Sequence, residues 1–337
     1  MKRSVVVVLS FIGLMACAQL STMGFRARVI LDGERSTTIE NEPQVHQQRH
    51  FATLPPESSD VVLFVLGDWG SGSAIQRDVA RAMALHARGT RPHAIISTGD
   101  NFYPSGVSSV SDRLFRERWE KTYADSSLQV QWIVALGNHD HGGNIAAQVE
   151  YSRLQPRWYL PAPYYTTTVN VGTNVVALFV LDTDSLLSHH ANRMRQLQWL
   201  DSVLGNSSAG TRIVIGHHPL RSYGFYGDNR MLVEQLKPIL DRHGVVLYLC
   251  GHEHDLQIIE HPNDRFTCVV SGGGGHARRT RYGEYSRAAW TGGGFVILRC
   301  KLDGRVVIQL VSRQGTVVAE HSASIRVHRQ GLEPRTR

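Results

Sequence analysis

Cysteine is scarce in this chain. Its 337 residues hold only Cys17, Cys250, Cys268 and Cys300, too few for disulfides to carry the fold. Charged residues make up 19% of the sequence, and neither a low-complexity tract nor a solenoid-length repeat is found in it. A disordered tail protein and a repeat array are thereby excluded. The formal net charge is +7, yet no basic stripe with interleaved aromatics accompanies it. The excess favours anionic partners in general and does not point to nucleic acid. The run of glycines from Gly272 to Gly275 lacks a following Lys-Ser/Thr and helix, so it is no nucleotide-phosphate cradle. Hydrophobic residues reach 42%, enough for a sizeable globular core.

The N-terminus reads as a signal peptide over residues 1–18. Lys2 and Arg3 precede the apolar run from Val5 to Met15, and Ala16-Cys17-Ala18 offers small residues for cleavage before Gln19. That run falls short of the roughly 20 residues of a membrane span, so no stable span is expected after cleavage. The expected destination is secreted, lumenal or periplasmic. The alternatives are lipidation of Cys17 within Leu14-Met15-Ala16-Cys17, or an uncleaved membrane anchor. Residues 19–59 are polar and aperiodic, a linker. The globular domain is expected over 60–315, and 316–337 reads as a C-terminal strand and a basic tail.

Within the domain, continuous apolar runs mark strands buried on both faces: Val61 to Leu66, Ala94 to Ile96, Val130 to Leu136, Ile213 to Ile215 and Val245 to Leu249. Helical spacing links Ile75, Val79, Ala82, Met83 and His86, and further helices are expected around Leu114 to Trp119, Asn192 to Leu204 and Met231 to Arg242. Tyr164 to Val171 and Asn174 to Leu181 form a hairpin around Gly172, and the last third is rich in strands. This alternation calls for an α/β fold with a mostly parallel core and antiparallel additions. Cys268 and Cys300 both fall in strand-like runs, where a free buried thiol is the expected state and pairing the alternative.

Five glycine-anchored runs follow these apolar stretches: Gly67-Asp68-Trp69-Gly70, Gly99-Asp100-Asn101-Phe102-Tyr103, Gly137-Asn138-His139-Asp140, Gly216-His217-His218-Pro219 and Gly251-His252-Glu253-His254. Taken singly, each is a turn or a structural histidine. Together they gather carboxylate, phenol, amide and imidazole donors at strand ends, where α/β sheets bind ligands. Hard oxygen with borderline nitrogen suits iron beside a second metal. Asp68, Asp100, Tyr103 and His254 suffice for one ion, and Asp100, Asn138, His217 and His252 for another, with Asp100 shared. Tyr103 is the most specific sign, because a phenol of pKa about 10 ionises near neutrality only beside a strongly polarising cation such as Fe³⁺. Trp69 reads as packing.

With this motif set the chain resembles the purple acid phosphatases of the small tartrate-resistant type, within the calcineurin-like metallophosphoesterases, over about Val61 to Val311. The run Asp68-Trp69-Gly70 lacks the Asp-x-His of ordinary relatives, and Tyr103 supplies the replacement typical of the purple branch. The resemblance implies a sandwich of two mixed β-sheets flanked by helices. It implies Fe³⁺ at the Asp68, Asp100, Tyr103, His254 site and Fe²⁺, Zn²⁺ or Mn²⁺ at the Asp100, Asn138, His217, His252 site. The implied activity is hydrolysis of phosphate monoesters by a hydroxide generated at the metals. His139 is the candidate that contacts the phosphoryl oxygens or protonates the leaving group, with Asp140 as its orienting partner. His218 stands where similar small enzymes often carry tyrosine, and Phe225-Tyr226 where they carry Glu-His, so His218 and Tyr226 are candidate substrate contacts. His276, Arg278, Arg279 and Arg281 form either a substrate-side basic loop or a solvated one. The competing functions are a phosphodiesterase or nucleotide hydrolase on the same fold, and a non-catalytic binding protein on that scaffold.

Overall fold

The computed structural model describes residues 59–325. The expected leader, Cys17, nearly all of the polar linker and the basic tail past Ile325 lie outside the described residues. Strands β1 (Val61–Leu66), β2 (Ala94–Ser97), β3 (Gln131–Val134) and β4 (Trp158–Tyr159) join β12 (Gly294–Cys300), β13 (Val306–Ser312) and β14 (Val317–Ala323) in one sheet, ordered β14-β13-β12-β1-β2-β3-β4. The second sheet contains β5 (Tyr165–Val171), β6 (Asn174–Val180), β7 (Thr211–Ile215), β8 (Leu247–Cys250), β9 (Leu256–Ile259), β10 (Thr267–Ser271) and β11 (Ser286–Trp290), ordered β11-β9-β10-β8-β7-β6-β5. Both sheets are mixed. Strands β1 to β4 run parallel, as do β6, β7, β8 and β10, while the flanking pairs are antiparallel. The parallel arrangement expected from the sequence thus holds at the centre of each sheet and gives way at the edges, where hairpins replace helical crossovers.

The continuous apolar strands are explained by two cores. Along β6, Val176, Leu178 and Val180 face the core shared with the first sheet, whereas Ala177 and Phe179 face a second core under the helices. The same period of two divides Leu247 and Leu249 from Tyr248 and Cys250 on β8. Helix α1 (Ala74–Thr90) is capped by Ser73, whose hydroxyl accepts from the Gln76 N–H, and buries Val79, Ala82, Met83 and His86. The chain continues through α2 (Asn138–His141), α3 (Ile145–Leu154), α4 (Thr183–Ser188), α5 (His190–Gly205), α6 (Arg230–Gln235) and α7 (Lys237–Arg242).

Two expectations need correction. The helix expected over Met231 to Arg242 is two short helices, because Pro238 at the start of α7 has no N–H to continue the ladder. Around Leu114 to Trp119 the backbone forms a π-helical turn, Phe115–Glu120, rather than an α-helix. The expected free thiols are found: Cys268 and Cys300 sit in different sheets and, with Cys250, are buried and unpaired, with pKa values pushed up by burial. Among the described residues no helix is long and apolar enough to cross a membrane.

Candidate metal centre

Each glycine-anchored run leaves the carboxyl end of a parallel strand: Asp68 after β1, Asp100 after β2, Asn138 after β3, His217 after β7, and His252 with His254 after β8. Both sheets therefore deliver donors to one rim. The backbone there is unusual. Asp68 (φ 57°), Asp100 (φ 53°), His252 (φ 69°) and His254 (φ 52°) all adopt left-handed conformations. The other non-glycine residue that does so among those described is Arg91, which ends α1. Strain of this kind persists only where surroundings over-determine it, and it gathers at functional sites. Close approach explains two of the glycines: a Cβ at Gly137 would collide with the Asp100 carboxylate and backbone, and one at Gly251 with the Asp68 carboxylate.

The side chains converge in two groups. Tyr103 Oη lies 3.2 Å from Asp68 Oδ1, 3.0 Å from Asp100 Oδ2 and 3.3 Å from His254 Nε2. His217 Nε2 lies 3.1 Å from Asn138 Oδ1, 3.1 Å from His252 Nδ1 and 3.5 Å from Asp100 Oδ2. One oxygen, Asp100 Oδ2, belongs to both groups. Donors about 3.0–3.4 Å apart are the spacing expected when each lies about 2.1 Å from a common ion. Ligand atoms of Asp68, Asp100 and His217 fall within 4.8 Å of one another.

Proton bookkeeping favours a cation here. His217 Nδ1 donates to the Thr98 carbonyl at 2.9 Å, which leaves Nε2 facing the Asp100 carboxylate and a second imidazole. Burial lowers its pKa, but the Asp100 and Asp68 charges outweigh that and raise it, so positive charge is favoured at Nε2, from a proton or a metal ion. Burial and the neighbouring histidines push His252 down to about 2 and His218 to about 3, which keeps both rings neutral. Asp68 is held below the usual carboxylate range: burial opposes this, but the His254 hydrogen bond and the charges of His217, His254 and His252 outweigh it. Tyr103 is pushed far above 10 by burial and by the Asp68 and Asp100 charges. Side chains alone therefore make this phenol a poorer acid, and only a strongly polarising cation reverses that logic. The donor set fits such an ion.

His139 stands at the rim, 36% exposed, with Nε2 3.9 Å from Asp100 Oδ2 and its ring 4.3 Å from that of Tyr103. Asp140 does not orient its imidazole. The ring is held by a 2.5 Å bond from Nδ1 to the Pro104 carbonyl. The buried Asp140 carboxylate instead accepts from the Gly137 and Asn101 N–H groups, Asn101 Nδ2 and Gln148 Nε2. These bonds lock together the two loops that carry Asp100 and Asn138. Burial and the Asp100 charge raise Asp140 to about 6.

His218 is 8% exposed and its Nδ1 is paired with Thr183 Oγ1 at 2.9 Å. The same hydroxyl accepts the backbone N–H groups of His217 and His218, so Thr183 fixes this run. Trp69 packs among Phe102, Tyr123, Trp132 and Trp158 beneath the rim. Tyr226 stacks on His252 at 4.2 Å, and His276 stacks on His254 at 4.7 Å.

Sequence reasoning gave no role to Thr183 or Glu253. Glu253 lies between two candidate ligands, is fully buried, and binds the loop of residues 222–227. It accepts from Ser222 Oγ (2.6 Å) and from the N–H groups of Phe225 (2.7 Å), Tyr226 (3.1 Å) and Gly227 (3.2 Å). A buried-looking charge between two histidines was the available signal for Glu253, and Thr183 left none.

The sequence profile of the calcineurin-like phosphoesterases matches residues 55–256. The chain belongs to that family. Within it, the chain is 40% identical to tartrate-resistant acid phosphatase type 5 of Oryctolagus cuniculus over 232 residues, covering 62% of this chain and 71% of the relative. It is 34% identical to purple acid phosphatase 3 of Arabidopsis thaliana over 247 residues, 66% of each. These relatives place it among the purple acid phosphatases. The fold is shared with GAP50, titled the anchor in the inner membrane complex of Plasmodium, at TM-score 0.73 and 24% identity, over 80% of this chain and 90% of that one. It is also shared with the purple acid phosphatase PPD1 of yellow lupin, at TM-score 0.61 and 15% identity, over 80% and 54%. A fold common to an anchor and a phosphatase leaves function to be argued from the site.

Proposed function

We propose that the protein is an acid phosphatase that hydrolyses phosphate monoesters at a dinuclear centre. Asp68, Asp100, Tyr103 and His254 hold Fe³⁺, and Asp100, Asn138, His217 and His252 hold Fe²⁺, Zn²⁺ or Mn²⁺. The observation that carries this reading is the Tyr103 oxygen, placed at 3.0–3.3 Å from Asp100, Asp68 and His254. The ions, when bound, supply Lewis acidity that activates water and offsets phosphoryl charge.

The remaining work falls to the protein. Asp100 joins the two donor groups through one oxygen and is fixed by the His139 N–H at 2.9 Å. His139 keeps its Nε2 toward the rim, because Nδ1–H donates to the Pro104 carbonyl. In its imidazolium form, with a proton on each nitrogen, it serves as donor to the phosphoryl oxygens or to the leaving group. Thr183, Asp140 and Glu253 hold the ligand loops in place. The leader-like residues 1–18 favour a secreted, lumenal or periplasmic location.

Metal-loaded protein should cleave phenyl phosphate at least about tenfold faster than a diaryl phosphate diester, and a chelator should remove the activity. Equal or faster diester cleavage, or activity that survives metal removal, would contradict the proposal.

A further inference from the structure

Beside the donors, the rings of Phe225 and Tyr226 carry a cation with an unsatisfied nitrogen. Arg278 has its guanidinium carbon 5.2 Å from the Phe225 ring centre and 5.3 Å from that of Tyr226. Among the described residues its side chain makes no hydrogen bond or ion pair, and Nη1 is buried and unsatisfied. The buried Asp255 carboxylate feels the Arg278 charge, but its hydrogen bonds come from Gln257 Nε2, at 3.0 Å to each oxygen. An unpaired buried guanidinium nitrogen is expensive to keep and calls for an explanation.

The segment bearing Arg278 is tied down on both sides. The Arg278 N–H donates to the His254 carbonyl at 2.9 Å, and the Arg281 N–H to the Tyr223 carbonyl at 3.3 Å. Tyr226 rests on His252, and its loop is clamped by Glu253. The Arg278 guanidinium therefore borders the site by way of Tyr226, while its backbone is anchored on His254. Phe225 (66% exposed) and Tyr226 (52% exposed) flank Arg278, and Tyr226 links it to His252 at the edge of the donors.

Building on the phosphomonoesterase reading, we infer that Arg278 is a specificity-determining residue that selects phosphate monoesters whose leaving group carries its own anionic group. The stacked guanidinium is pre-oriented, so a carboxylate or second phosphate arriving there gains a charge-assisted pair without ordering a free side chain.

The test compares 4-carboxyphenyl phosphate with the neutral isostere 4-carbamoylphenyl phosphate, and 4-phosphonophenyl phosphate distinguishes a phosphate-type anion from a carboxylate. Wild-type protein should favour one or both anionic esters over the amide by about tenfold in kcat/KM. Arg278→Gln should bring that ratio close to one, and Arg278→Lys should restore part of it, because the charge returns without the planar fork. A merely structural role would lower all esters together and leave the ratio intact. Calorimetric binding of 4-carboxyphenyl and 4-carbamoylphenyl phosphonates reads the same preference without turnover. An inactive enzyme that still prefers the anionic phosphonate would sink the phosphatase reading alone. A wild-type protein with no anionic preference, or an Arg278→Gln protein that keeps it, would overturn the inference about Arg278.

Discussion

The donor side of the site and the wall facing it are fixed by different means. Asp68, Asp100, Asn138, His217, His252 and His254 leave strand ends within a few residues, and Asp68, Asp100 and His217 are buried almost completely. Phe225, Tyr226, His276 and Arg278 sit on longer connections, and the first two are more than half exposed. The donors are held by the sheets, by left-handed backbone and by bonds such as Thr98 to His217. The wall is held by the Glu253 and Asp228 carboxylates, by the Gln257 amide and by the backbone bond from Arg278 to His254. Chemistry that tolerates little displacement is placed on the rigid side, and recognition on the side that can vary without disturbing it.

His139 tests that division most severely, since it stands on the donor side without belonging to either donor group. His139→Ala should keep full metal content, measured by elemental analysis, and lose about 100-fold or more in turnover of phenyl phosphate. Unchanged turnover would remove His139 from the chemistry, and lost metal would make it part of the donor set. A smaller effect is expected from Glu253→Gln, which replaces one accepting oxygen with an NH2 group that cannot accept. Stability should fall by about 1–3 kcal/mol in denaturant unfolding, with metal content unchanged and turnover within tenfold. A loss of metal in that variant would show that the clamp supports the donors as much as the wall, and the comparison would fail.

The donor side was legible in the sequence because a strand end restricts where the next few residues can point. The apolar runs before Gly67, Gly99, Gly137, Gly216 and Gly251 announced buried parallel strands, and the polar residues after them had one rim to occupy. Tyr103 narrowed the chemistry further, since a phenol among carboxylates has few bland explanations. The wall was less legible. Phe225 and Tyr226 stood out only through the family resemblance, and the packing of Arg278 on their rings depends on a Glu253 clamp that spans the gap from residue 222 to 253. Asp140 misled for a related reason. Its neighbour His139 suggested a local partnership, but helix α2 turns the carboxylate toward Gln148 and Asn101, in the interior. Strands β4 and β11 escaped for want of periodic signal: β4 has two residues, and β11 reads Ser-Arg-Ala-Ala-Trp.

The proposed function turns on the Tyr103 oxygen as an iron ligand next to a second ion that shares Asp100. The visible spectrum of the purified, metal-analysed protein beside that of Tyr103→Phe tests this most directly. The prediction is a phenolate-to-iron charge-transfer band in the wild type that disappears in the variant. A colourless, iron-free wild type with full phosphomonoesterase activity, or a band that survives in Tyr103→Phe, would contradict it.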